Sequence, residues 1–240
     1  TTARLVPFMA ILYVVSALVI IGLNAERLPA ALGAIWHGAF APEGIAGGIL
    51  GVMIIGFRRA VFSNEAGIGS AAIAHAAART REPVSEGFVA LLEPFIDTVV
   101  ICTLTALVII VTVYEPGLAG AGVNGIELTT RAFASTLSWS TIPLAVAAIL
   151  FAFSTMITWS YYGQQAFQYL AGDHPAAVFA FKGAFLGFVV LGAAVQLGAL
   201  VDLSDALVFV VAIPNLIGLY LLAPRIRREL AAYEARIGRG

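Results

Sequence analysis

The sequence predicts an all-α integral membrane protein with about six transmembrane helices, one of them broken. Composition is the first observation, because 60% of the residues are apolar and 11% are charged, whereas an ordinary soluble domain is roughly a quarter charged. The second observation is a set of runs without any charged residue, namely Leu5–Leu23, Val99–Val113, Ile142–Ile157 and Ala206–Ala223. Such runs suit a hydrocarbon layer that a helix of about 20 residues crosses.

The spans follow one another with short connections. The first is predicted over Pro7–Asn24. A second apolar stretch, 44–78, is too long and too interrupted for one straight helix, and this interruption is the third observation. The remaining predicted spans are Gly87–Val113, Arg131–Leu170, Ala176–Leu200 and Leu203–Leu222, with a turn from Tyr114 to Gly117 and a glycine-rich loop after the third span.

Basic residues predict the orientation. If six spans alternate, most of them fall on one side: Arg4, Arg79, Arg81, Lys182, Arg225, Arg227, Arg228, Arg236 and Arg239. The opposite side keeps Arg27 and Arg131. Because loops rich in Lys and Arg stay in the cytoplasm, both termini of the chain are predicted to be cytoplasmic.

Other features exclude several classes of function. The net charge is −1, so no basic surface favours nucleic acid. A single cysteine, Cys102, allows neither an internal disulfide nor a multi-cysteine metal site. The sequence contains no nucleophile elbow, phosphate loop or His-Glu zinc motif, so no enzyme is predicted.

The ends and the amino-acid usage of the chain suggest its origin. It begins without Met and without a signal-peptide pattern, so we expect a part of a longer protein. Arg outnumbers Lys, and Ala and Gly are abundant, which suggests a GC-rich bacterial genome.

The interruption in the second stretch is the most informative segment. Gly67 and Gly69 lie beside Asn64, Glu65 and serines, which are poor helix formers within an apolar setting. Backbone that is not helical is tolerated at membrane depth only where protein or a water-filled cavity surrounds it. Secondary transporters use such breaks to bind cations and substrate carboxylates. A simple glycine kink is the alternative, but a kink does not need Asn64 and Glu65.

Charged residues near this break have open roles. Glu65 must pair, stay protonated or face protein, and it is either a cap for the broken helix ends or a proton carrier. Arg58 and Arg59 lie about one turn of helix from the break, so they line a wet vestibule or belong to an interfacial helix.

Two further groups of polar residues lie on later spans. Glu93, Asp97 and Thr105 share a helix face if the third span is a regular α-helix, so the two carboxylates could relay protons or simply be hydrated. On the fourth span, Ser154 and Thr155 either bind backbone carbonyls of their own helix or act as hard oxygen ligands for Na⁺. Trp159 follows Thr155 by one turn.

Two long motifs resemble one known family. The segment Phe62–Ser70 (FSNEAGIGS), followed by 73–78 (IAHAAA) and 95–98 (FIDT), is similar to the signature of the alanine or glycine:cation symporters. The segment Phe151–Gly163 (FAFSTMITWSYYG) resembles the second hallmark of the same family, and the similarity extends over essentially the whole chain.

The resemblance implies a leucine-transporter-type fold, which has two inverted repeats of five helices and a substrate site at the bilayer midplane. Residues 1–240 would form a single transmembrane domain fragment that contains the last helix of the first repeat and the whole second repeat. The missing N-terminal helices would supply the other broken helix.

The resemblance also implies functional residues. Substrate or cation neighbours at the break would be Phe62, Asn64, Gly67 and Gly69, and Thr155 and Trp159 would lie beside the amino acid. The Na⁺ candidates are Asn64, Ser154 and Thr155. The expected function is Na⁺-coupled symport of alanine or glycine across the cell membrane, and the alternative is a proton-coupled carrier that uses Glu65 or Asp97.

Overall fold

A computed structural model of the chain describes residues 2–40, 48–114 and 125–238. These residues form helices joined by turns, which confirms the predicted all-α class. The predicted turn residues 115–117 and the glycine-rich loop at 117–124 lie outside the described residues.

Fourteen helical elements lie within the described residues. They are α1 (Thr2–Leu23), a 3₁₀ turn (Ala25–Arg27), α2 (Leu28–Phe40), α3 (Gly48–Asn64), α4 (Ser70–His75), α5 (Pro83–Ala90), α6 (Leu92–Pro94), a π-helix (Phe95–Cys102), α7 (Thr103–Thr112), α8 (Ile126–Thr136), a second 3₁₀ turn (Ser138–Ser140), α9 (Thr141–Ala171), α10 (Pro175–Ala194) and α11 (Leu197–Ile237).

Five described stretches are long and apolar enough to cross a membrane: Val6–Leu23, Pro83–Thr112, Ser138–Ala171, Pro175–Ala194 and Leu197–Ile237. Many of their large apolar side chains are exposed, and Leu170 and Phe179 are each at least 80% exposed. Apolar surface of this extent is typical of helices that face lipid or other transmembrane helices. Since the broken second stretch consists of the two shorter helices α3 and α4, the count of six spans stays a prediction.

Two predicted boundaries were wrong. The fourth span does not begin at Arg131, because Leu137 is extended (φ −125°, ψ 90°) and separates α8 from α9. The turn between the fifth and sixth spans lies at Val195 and Gln196, both with extended backbone, rather than after Leu200. Beyond Leu222, where the predicted sixth span ends, the chain stays helical to Ile237, because residues 229–236 are mostly good helix formers.

The chain forms two compact units, and the first contains Thr1–Gly56 and Ile96–Thr158. Its core consists of Ala17, Ile20, Val108, Ala132, Phe133 and Leu144. Tyr13 stacks on Phe133 with ring centroids 5.5 Å apart, and its hydroxyl lies 2.5 Å from the Thr105 hydroxyl. These contacts hold α1, α7 and α8 together.

The second unit contains Phe57–Phe95 and Trp159–Gly240. Near the end of α11, Arg236 forms two hydrogen bonds of 2.5 and 2.7 Å with the Glu82 carboxylate, and Tyr233 packs against Phe88 with ring centroids 6.1 Å apart. Within this unit α11 therefore packs along α5, and it also contacts Arg58 and Arg59 of α3 and Gly67 in the turn that follows α3.

Candidate functional site

The predicted break is confirmed between α3 and α4. Helix α3 ends at Asn64, and α4 begins at Ser70. Three of the five intervening residues have a positive φ: Glu65 (56°), Gly67 (85°) and Gly69 (94°). Glycine adopts this conformation easily, whereas a residue with a side chain rarely does. The backbone of the turn is therefore specified by the two glycines and strained at Glu65.

Side chains of the break bind across the turn. The Asn64 amide oxygen accepts a hydrogen bond of 2.9 Å from the Ala66 N–H, and Asn64 is 7% exposed. The Ser70 hydroxyl donates to a Glu65 carboxylate oxygen at 2.5 Å, and Ser70 is buried as well. This contact joins two side chains and caps no backbone group of α4, so both roles predicted for Glu65 stay predictions.

Asn215, on α11, is a residue of this site that the sequence did not indicate. Its side-chain nitrogen donates a hydrogen bond of 2.8 Å to the Gly67 carbonyl. The sequence did contain one signal, because Asn215 is the one amide side chain in the apolar run between Ala206 and Pro224. An amide in so apolar a run needs a polar partner.

Arg58 and Arg59 both pair with the Asp205 carboxylate, a partner that the sequence did not indicate. The wet vestibule and the interfacial helix stay alternative predictions for the two arginines. Asp205 is 5% exposed, whereas the arginine side chains are partly exposed. The Arg59 guanidinium also lies 5.6 Å from the centre of the Phe62 ring. Because a buried carboxylate is costly without a partner, these pairs explain why α3 carries arginines so close to the break.

His75 lies between two carboxylates at the end of α4, outside the five long apolar helices. Its Nδ1 lies 2.7 Å from a Glu86 oxygen, and its Nε2 lies 3.5 Å from a Glu93 oxygen. The hydrogen bond with Glu86 raises the pKa of His75, and Glu93 adds to that effect. The charged imidazolium is therefore favoured in the folded protein.

We expect His75→Gln to lower thermal stability at pH 6 and to have less effect at pH 9. The pKa of His75 is higher in the folded than in the unfolded state, so its contribution is complete below the unfolded pKa and disappears as pH rises through the folded pKa. Because both side chains are partly exposed, we expect a difference of roughly 1–3 °C. Thermal unfolding of the purified full-length protein between pH 6 and 9 measures it. His37→Gln, at an exposed histidine, is the matched control, and an equal effect at both pH values would contradict the ion pair.

Asp97 lies in the π-helix Phe95–Cys102, in the first unit. The face predicted for Glu93, Asp97 and Thr105 assumed α-helical spacing, which does not hold through this segment. Thr105 donates instead to the Ile101 carbonyl at 2.9 Å. One Asp97 oxygen, Oδ2, is buried and has no hydrogen-bond partner among the described residues. Such an oxygen suits a proton or a cation.

The hydroxyl residues of the second motif lie on α9, also in the first unit. Ser154 is partly buried and Thr155 is exposed. The hydroxyl of the neighbouring Thr158 donates to the Ser154 carbonyl at 2.9 Å, which is the backbone contact that hydroxyls commonly make in membrane helices. The Na⁺ roles of Ser154 and Thr155 stay predictions.

Trp159 lies one turn further along α9, in the second unit. Its ring meets Tyr162 edge to face, with centroids 5.9 Å apart, and it is 40% exposed. Tyr162, in contrast, is buried. Tyr162 thus packs against one edge of the Trp159 indole. The role of Trp159 beside the substrate stays a prediction.

Three known proteins that are similar to this chain in sequence are named as transporters or symporters. A transporter of Haemophilus influenzae without an assigned substrate is 41% identical over 97% of this chain and 52% of its own length. The sodium/alanine symporter AgcS of Methanococcus maripaludis is 37% identical over 97% of this chain and 51% of its own length. The probable sodium/glutamine symporter GlnT of Bacillus subtilis is 34% identical over 95% of this chain and 48% of its own length.

The chain spans about half the length of the curated relatives it matches. The profile of one family, described as the sodium:alanine symporter family, matches residues 1–240. The break, the apolar helices and the relatives agree with that match. This chain belongs to the sodium:alanine symporter family.

Proposed function

We propose that the full-length protein containing this chain is a secondary transporter that imports alanine or glycine together with Na⁺. The break between Asn64 and Ser70 is the observation that carries this proposal. There the carbonyl end of α3 and the amide end of α4 are separated by five residues. Carbonyl oxygens suit a cation, and free N–H groups suit a substrate carboxylate.

The ion and the substrate are proposed from chemistry and from family membership. Buried Asn64 supplies an amide oxygen, and Ser154 and Thr155 supply hydroxyl oxygens, which are the hard ligands that Na⁺ needs. Phe62, Gly67, Gly69, Thr155 and Trp159 are the proposed neighbours of the amino acid. The family description and the name of AgcS support alanine, whereas the name of GlnT indicates that relatives differ in substrate.

The membrane arrangement is part of the same proposal. We infer a leucine-transporter-type fold in which this chain provides the last helix of the first repeat and the whole second repeat. The missing N-terminal helices would complete the substrate site. The distribution of basic residues supports cytoplasmic termini. The amino-acid usage and the bacterial relatives support a place in the cytoplasmic membrane of a bacterium.

We expect the full-length protein in proteoliposomes to accumulate labelled alanine when Na⁺ is higher outside than inside. Uptake should persist after the pH gradient has been collapsed with a protonophore, because Na⁺ supplies the driving force. Liposomes without protein, and proteoliposomes with equal Na⁺ on both sides, are the controls. Accumulation that follows a proton gradient in Na⁺-free buffer would contradict Na⁺ coupling.

Proton coupling is the second candidate, and Asp97 is the observation that favours it. The buried oxygen without a partner could carry a proton inside an apolar helix, where a bare charge is expensive. The experiment described above separates the two candidates. Under proton coupling, Asp97→Asn would abolish the response of uptake to a pH gradient.

A further inference from the structure

A broken helix leaves backbone groups without their usual partners. In an intact helix the Gly67 carbonyl would accept from the amide four residues later, but φ is positive at Gly67 and Gly69, so that pattern is interrupted. Inside a bilayer no bulk water replaces the lost partner. The Asn215 side chain does so, with its hydrogen bond of 2.8 Å to the Gly67 carbonyl.

Asn215 also restricts the residue at position 69. A Cβ atom added to Gly69 would lie 2.8 Å from the Asn215 amide oxygen, which is closer than real Cβ contacts, and 3.0 Å from its amide carbon, which is tight. The φ of 94° at Gly69 disfavours a side chain independently. The two polar atoms of the Asn215 amide therefore make different contacts. The nitrogen donates to the Gly67 carbonyl, and the oxygen packs against Gly69.

A second contact shows that α11 holds the segment before the break as well. Asp205 of the same helix pairs with Arg58 and Arg59 of α3. Asp205 and Asn215 are ten residues apart, which is about 15 Å along a helix. Helix α11 is therefore bound to the half-helix α3 at one point and to the turn at another, so it can fix the turn relative to α3.

We propose that Asn215 is a positioning residue that holds the turn at 65–69 in the conformation that binds ion and substrate. The role of the turn rests on the proposed function, whereas the hydrogen bond does not. Without the amide donor, the Gly67 carbonyl would lose its partner, and the two flexible glycines would sample other conformations. Binding would then require an additional ordering step.

The test compares three variants of the full-length protein in detergent micelles and in proteoliposomes. Asn215→Ala removes the amide, and Asn215→Leu keeps a similar shape without a donor. Asn24→Ala is the matched control, because the Asn24 side chain also donates to a backbone carbonyl, that of Ile20, at 2.9 Å in a different part of the protein. Hydrogen exchange of the peptide covering residues 64–75 is measured for each variant, without Na⁺ or substrate.

Both Asn215 variants should exchange faster at residues 65–70 than the wild type, and Asn24→Ala should not. In uptake assays, the Na⁺ concentration for half-maximal transport should rise about fivefold, with a much smaller change in maximal rate. Unchanged exchange in both Asn215 variants would overturn the proposal. Wild-type exchange in Asn215→Leu alone would also overturn it, because the contact would then be packing rather than a hydrogen bond.

The exchange measurement remains valid if the proposed transport function is wrong. If the wild-type protein lacks Na⁺-driven uptake while the Asn215 variants exchange faster, the proposed function fails and the positioning role stands. If uptake is Na⁺-driven and exchange at 65–70 is unaffected, the proposed function stands and the role of Asn215 fails. Should Asn215→Ala not yield folded protein, Asn215→Leu carries the test alone, since it fills the same space.

Discussion

Replacing Asn64 with Ala in the full-length protein is expected to raise the Na⁺ concentration for half-maximal uptake about tenfold or more, equal to about 1.4 kcal/mol of binding free energy. Asn64 is buried at the end of α3, and under the proposed function its amide oxygen would be a hard ligand for Na⁺. The measurement is initial alanine uptake as a function of external Na⁺, with the amount of folded transporter determined for each variant.

Asn64→Asp tests whether the amide donor of Asn64 is needed. The Asn64 oxygen also accepts from the Ala66 N–H, so Asn64→Ala could act through the shape of the turn rather than through the ion. An aspartate keeps an acceptor for that N–H, but it loses the amide donor. If Na⁺ activation is the same in wild type and Asn64→Ala, Asn64 is not part of the ion site. If only Asn64→Ala is defective and Asn64→Asp is normal, the amide donor is dispensable.

Replacing Trp159 with Ala is expected to widen substrate selectivity as well as weaken alanine binding. A pocket for a small amino acid must be closed by something bulky, and an indole is a large and rigid group. Tyr162 contacts one edge of the ring, and the exposed part of Trp159 remains free to meet a substrate. Competition of labelled alanine uptake by glycine, serine, valine and leucine measures the effect, and leucine should compete in Trp159→Ala but not in the wild type.

Trp159→Phe is the matched control for packing. Phenylalanine keeps an aromatic contact with Tyr162 and removes only part of the bulk, so its selectivity should fall between those of the wild type and Trp159→Ala. An interfacial or purely structural tryptophan would instead give less folded protein with an unchanged order of competitors. If larger amino acids compete no better although folded protein is made, Trp159 does not set the size limit.

The sequence alone predicted features that depend on neighbouring residues or on overall composition. The long apolar stretches follow from hydropathy. The interruption after Asn64 follows from two glycines beside polar residues, because helix propensity acts within a few residues. The family was evident from two motifs of 9 and 13 residues. Predicting these features required no knowledge of the tertiary contacts.

The tertiary structure decided which partner each polar group of the break has. Arg58 and Asp205 are 147 residues apart, and Gly67 and Asn215 are 148 apart. Apolar periodicity cannot indicate which of several helices will pack against α3, so neither pair was predictable. The contacts of Arg236 with Glu82 and of Tyr233 with Phe88 likewise join residues that lie far apart in sequence. Local propensity sets where a helix breaks, whereas long-range packing determines what stabilises the broken ends.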